Sequence, residues 1–102
     1  MLTLLTLLSC VPDIGETIGC DFRNQASSPE DRCQERSGLQ SNGFDAMCEG
    51  LGGKVVDGGC SRKDSVGECA TAEDVVDVYY SPTTAADAEA DCADDDGDFT
   101  GA

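Results

Sequence analysis

Cys48-Glu49-Gly50-Leu51-Gly52-Gly53-Lys54-Val55 is echoed further along the chain by Cys92-Ala93-Asp94-Asp95-Asp96-Gly97-Asp98-Phe99. Each stretch opens on a cysteine, carries a glycine five positions on (Gly53, Gly97) and an apolar residue seven positions on (Val55, Phe99). A helix-compatible segment precedes each. Before that lies another cysteine, Cys33 or Cys69, followed by Ser37-Gly38 or Ser81-Pro82. The pattern predicts an internal duplication, two strand-helix-strand units over 33–57 and 69–101. Together they form a short sheet with two helices, a small α+β fold.

Local signals fill in the units. Phe44, Met47, Cys48 and Leu51 fall at i, i+3, i+4 and i+7, one face of a helix. Ser41 or Asn42 is positioned to cap its start, and Gly52-Gly53 to end it through the left-handed conformation that glycine tolerates. In the second unit Ser81 is the expected cap, with Pro82 at the first helical position and Ala85, Ala88 and Cys92 as the buried stripe. Val75-Val76-Asp77-Val78-Tyr79-Tyr80 has the β-branched and aromatic content of a strand. Its period of two puts Val76, Val78 and Tyr80 on one face. Val55-Val56 is expected to form a shorter strand.

Large apolar residues are scarce: there is no Trp, and only three Phe and two Tyr. A chain this short buries a modest share of its surface and needs additional fastening. Cys20, Cys33, Cys48, Cys60, Cys69 and Cys92 can supply it, since an even set of cysteines in a small exported domain reads as a disulfide framework. Zinc is disfavoured, because His is absent and no C-x-x-C occurs. Six cysteines allow 15 pairings. Equivalence of the two units selects Cys33–Cys48 and Cys69–Cys92, leaving Cys20–Cys60.

The seventh cysteine, Cys10, follows the apolar run Leu2-Thr3-Leu4-Leu5-Thr6-Leu7-Leu8-Ser9. A greasy segment ending Leu7-Leu8-Ser9-Cys10 resembles a bacterial lipoprotein signal, in which cleavage precedes the cysteine and its thiol receives lipid. No Lys or Arg precedes Arg23, whereas secretory signals normally open with a basic region. Residues 2–9 are far short of the roughly 20 apolar residues that span a bilayer. Secretion with cleavage near Ser9, or an intact N-terminus, are the competing readings. The expected organisation is a signal segment at 1–9, an anchor and tether at 10–28, and a stapled domain at 29–102.

Cys33-Gln34-Glu35-Arg36-Ser37-Gly38, Cys48 to Gly53, Val66-Gly67-Glu68-Cys69 and Tyr79-Tyr80-Ser81 together resemble a group of small cysteine-rich bacterial lipoproteins. The resemblance covers most of residues 20–101 and rests on disulfide and turn residues. It implies a scaffold and transfers no catalytic residue. Where such proteins tend to carry an aromatic residue after the paired glycines, this chain has Val55 and Phe99; Asp96 stands where a glycine is expected.

Charge narrows the partners. Net charge is −15, with twelve acids and no Lys or Arg over residues 64–102 against nine acids and six bases over 1–63. Like charge disfavours nucleic acid as a partner, and it disfavours purely electrostatic adhesion to anionic lipid; no nucleic acid is expected. Asp91, Asp94, Asp95, Asp96 and Asp98 invite a calcium reading. With Gly97 at position 6 of an EF-hand loop, Asp96 and Asp94 fall at 5 and 3, but position 1 falls on Cys92 and position 12 lies past Ala102. A solvated acidic turn is the better reading, and no metal or cofactor is expected. Absence of His removes the usual base for Ser or Cys nucleophiles. Gly50-Leu51-Gly52-Gly53 follows a helix, whereas nucleotide loops precede one. The sequence therefore points to a non-enzymatic, lipid-anchored protein of the bacterial cell envelope, held in the membrane through Cys10 and meeting a protein or glycan partner. Two alternatives are a freely secreted effector or inhibitor and a weak calcium-dependent adhesion module.

Overall fold

The computed structural model describes residues 16–23 and 31–102. Cys10, the segment before it and most of the expected tether lie outside the described residues. Within them the order is β1 (Thr17–Asp21), β2 (Arg32–Ser37), a 3-10 turn (Gly38–Ser41), α1 (Phe44–Gly50) and β3 (Lys54–Asp57). Then follow β4 (Ser65–Ala72), β5 (Val75–Tyr80), α2 (Ala85–Asp94) and β6 (Asp98–Gly101). The strands form one antiparallel sheet in the order β3-β1-β2-β5-β4-β6, the expected stapled α+β domain.

The duplication is present, with each unit one strand longer than the sequence pattern indicates. Both are strand-strand-helix-strand, 17–57 and 65–101. Register establishes the equivalence: Cys20 lies opposite Gln34 on β2 and Val55 on β3, while Cys69 lies opposite Asp77 on β5 and Phe99 on β6. Cys20, not Cys33, is thus the counterpart of Cys69. The pairing follows: Cys20–Cys48 and Cys69–Cys92 are the matching bonds, and Cys33–Cys60 is the third. Of the expected bonds only Cys69–Cys92 forms. The expectation failed because it overlooked β1, whose Thr17–Asp21 has few side chains that announce a strand. For the same reason the folded domain begins before residue 29: residues 17–21 of the expected tether are a middle strand of the sheet, with Cys20 fully buried.

Helix starts also differ from expectation. Gly43, at φ +74°, precedes α1 with no side-chain cap; Ser41 instead donates to the Gly38 carbonyl within the 3-10 turn. Thr84 caps α2, its hydroxyl accepting from Asp87 N–H at 3.1 Å, so Ser81-Pro82 belong to the turn before it. Of the α1 stripe, Phe44 and Cys48 are buried while Met47 and Leu51 remain exposed. The helix ends correspond: Gly53 N–H and Gly97 N–H return to the carbonyls of Cys48 and Cys92. Asp96 holds the left-handed conformation (φ +56°) that Gly52 holds in the first unit (φ +85°).

Both helices cover one face of the sheet. Ile18, Cys20, Phe44 and Cys48 form the core of the first unit; Cys69, Tyr79, Ala88 and Cys92 form that of the second. On the opposite face Cys33, Cys60, Val78 and Tyr80 gather beneath the 58–64 connection. Sulfur fills much of this interior, which explains the two conserved-spacing glycines of the duplicated stretches. A Cβ on Gly53 would run into Sγ of Cys20, and one on Gly97 into Sγ of Cys69.

Non-reducing peptide mapping is expected to recover Cys20–Cys48, Cys33–Cys60 and Cys69–Cys92. Gly53→Ala and Gly97→Ala should each lower stability by about 1–3 kcal/mol through overpacking. Gly50→Ala, in α1 with open space around it, should raise stability by up to about 1 kcal/mol. Urea denaturation measures all three, and equal effects at the three glycines would refute the sulfur-contact explanation.

Candidate functional site

The two units meet where β2 pairs with β5. Gln34 and Asp77, equivalent residues, lie directly opposite one another there, so the axis relating the units passes between them. The flanking pairs exchange under the same rotation: Cys33 opposite Val78 becomes Val76 opposite Glu35. A rotation axis perpendicular to the sheet leaves both helices on one side, with a strip of strand surface between them.

Polar side chains occupy that strip. Arg36 Nε donates to Gln34 Oε1 at 3.0 Å, and Gln34 Nε2 donates to Asp77 Oδ1 at 2.8 Å. Arg32 lies 3.9 Å from Asp77 and 3.6 Å from Asp91 of α2. Tyr79 Oη donates to Asp91 at 2.5 Å. Asp77 is only 4% exposed, and burial pushes its carboxyl above the usual value, against the pull of Gln34 and Arg32. Burial and the Asp91 carboxylate both push the Tyr79 hydroxyl upward. It stays protonated and donates.

Symmetry is broken at the strip's edge. Arg36 takes the place in the first unit that Tyr79 takes in the second, and stacks over Phe44 at 4.5 Å. Around Tyr79 the surface opens into a cleft of about 370 Å³ lined by Asp31, Arg32, Tyr79, Thr83, Asp87 and Asp91. Its lining carries three carboxylates and one guanidinium, on a chain of net charge −15. Such a cleft concentrates cations.

On the opposite face, Arg62 straps the connection between units. Its guanidinium bonds both carboxylate oxygens of Glu35, at 2.6 and 3.1 Å, and Glu68 at 2.9 Å. Burial acts to raise the Glu35 carboxyl, but Arg62 and the Cys60 N–H overcome it and hold it below its ordinary value. Arg23, bonded to Asp21, lies over the Tyr80 ring at 3.9 Å.

The six paired cysteines are therefore structural, and all are buried. In the acidic stretch Asp91 bonds Tyr79, and Asp95, one helical turn on, adds its charge to the surroundings of Asp77; Asp94, Asp95, Asp96 and Asp98 are exposed. Among the described residues no three His, Cys, Asp or Glu side chains converge as a metal site, and no helix is long and apolar enough to cross a membrane. Sequence reading missed Arg32, Asp77, Tyr79 and Asp87. The alternation of β5 signalled Asp77 and Tyr79 as one face, yet nothing local placed Arg32 or α2 beside them. No protein-family model, curated protein or solved structure matches the chain.

Acid titration separates the half-buried Glu35 from the buried Asp77. Glu35, depressed below 4.5, contributes stability that is present above that value and lost as pH falls through its folded pKa. Asp77, raised above 3.8, has the opposite sign: its ionisation costs stability, which returns as pH falls and the carboxyl protonates. Asp77→Asn should therefore be most stabilised relative to wild type near neutral pH, with the difference shrinking on acidification. Arg62→Gln should be destabilised near neutrality, converging with wild type in acid. Chemical denaturation across the carboxylate range reads both; pH-independent differences would contradict the assignment.

Proposed function

We propose that the chain is a lipid-anchored bacterial cell-envelope protein, akin to the small cysteine-rich lipoproteins it resembles, acting by binding rather than catalysis. Cys10 is the anchor. Three buried disulfides suit an oxidising compartment outside the cytoplasm. They also suit a freely secreted effector, so fractionation decides between the two. The observation that carries the binding role is the acidic cleft at the seam. A concavity lined by Tyr79, three carboxylates and the Arg32 guanidinium, with Asp91 held by Tyr79 and Arg32, fits a cationic group such as the Lys or Arg side chain of a basic protein partner. Catalysis finds no support in the same groups: Tyr79 is held as a donor, and the chain has no His to act as base. The calcium-dependent module gains nothing from the dispersed acids around Gly97.

Native protein should have a mature chain beginning at Cys10 with added acyl mass and should partition into detergent. Cys10→Ala should move it to the aqueous phase, whereas an unmodified Met1 would end the anchor reading. For the cleft, calorimetry with a Lys/Arg-rich peptide should show binding that weakens with salt. Asp87→Asn should reduce affinity about tenfold, the scale of one charge-assisted hydrogen bond. Equal affinity for a Glu-rich peptide would refute it.

A further inference from the structure

The seam between the units has no covalent tie. Cys20–Cys48 closes within the first unit and Cys69–Cys92 within the second, while Cys33–Cys60 ties the connection to the first unit. Among the described elements, the substantial contact joining one unit to the other is the β2–β5 ladder. Each helix packs on strands of its own unit: α1 on β1 and β3, α2 on β4 and β6.

The connection between units is anchored almost to its end on the first unit. Gly58 N–H reaches the Thr17 carbonyl at 3.0 Å, Cys60 N–H reaches Glu35 at 2.8 Å, and Cys60 is bonded to Cys33. Arg62 grips Glu35. What remains before β4 begins at Ser65 is Lys63 and Asp64, both exposed. Asp64 holds φ +63°, a left-handed conformation that a side chain other than glycine adopts at a cost. A short hinge in an unfavourable conformation, between units that meet through a self-complementary ladder, is the arrangement that favours exchange between chains.

We propose that a second copy of this chain is a partner of the seam, through a domain-swapped dimer in which residues 65–102 exchange about Lys63-Asp64. In that dimer β2 of one copy pairs with β5 of the other. The Gln34–Asp77 and Arg32–Asp91 contacts, the Arg62–Glu68 bond and the Tyr80 hydroxyl bond to the Ser61 carbonyl all re-form across chains. Only the hinge changes, and Asp64 is released to an extended conformation. All three disulfides persist, so exchange needs no thiol chemistry. The proposal stands independently of the anchor and of the cleft's ligand.

The test is oxidised chain carrying Cys10→Ala, so that no free thiol links copies. It is unfolded without reductant and refolded at low concentration or near millimolar, where a second chain competes with the tethered unit. Light scattering after size exclusion should find a dimer that grows with refolding concentration and persists on dilution. Deleting Lys63 and Asp64 should increase the dimer several-fold, and inserting Gly-Ser-Gly after Lys63 should return monomer. Monomer throughout, in wild type and in a deletion variant with native circular dichroism, overturns the proposal. So does a dimer fraction indifferent to hinge length. Should the deletion variant not fold, wild type against the insertion variant decides: loss of the trapped dimer on insertion supports exchange, and equal fractions refute it.

Discussion

Each helix is held at its last turn by a buried disulfide to the middle strand of its own unit, and the fold is arranged around those two sulfur pairs. Cys20–Cys48 and Cys69–Cys92 lie where a larger domain would place Leu or Phe, and all four cysteines are fully buried. The bonds close loops with separations of 28 and 23 residues, each contributing about 3–4 kcal/mol on the chain-entropy account. Against a domain stability of about 5–15 kcal/mol, that is a large share. Glycine must follow each helix because the sulfurs leave no room for a Cβ, and the backbone turn into the next strand follows from it.

Around this common frame the two units reach similar packing by different means. Phe44 fills the first core where the second has only Ala88. The second recovers volume with Phe99, set where the first has Val55, and Gly67 opens the space the Phe99 ring occupies. Volume is exchanged between positions while the framework stays. The third bond, Cys33–Cys60, has no counterpart in the second unit. It ties down the connection on the face away from the helices, where Arg62 adds Glu35 and Glu68.

Divergence between the units also creates the site. On the axis, Gln34 and Asp77 complement one another as donor and acceptor, which two copies of either residue would do less well in a buried place. At the strip's edge, Tyr79 in place of Arg36 and Asp91 in place of Met47 turn a packed corner into an acidic cleft. The uneven charge has a structural expression there. Arg32 on β2, of the first unit, faces Asp77 and Asp91 of the second, while Asp94, Asp95, Asp96 and Asp98 stay exposed.

Sequence alone determined the class, the duplication, the strand Val75–Tyr80, both helices and the use of six cysteines as fasteners. Each is written in local signals: side-chain period, glycine spacing, an even cysteine count. Asp96 in the glycine's turn position broke the local rule, yet the turn formed because Cys92 and the following strand dictate it. The strand around Cys20, the true partner of Cys48 and the assembly of Arg32, Asp77, Tyr79 and Asp91 were settled only by tertiary structure. Thr17–Asp21 becomes a strand because two neighbours pair with it, and the site's residues meet because a rotation axis joins β2 to β5. Both are contacts between distant parts of the chain, and no local period encodes them.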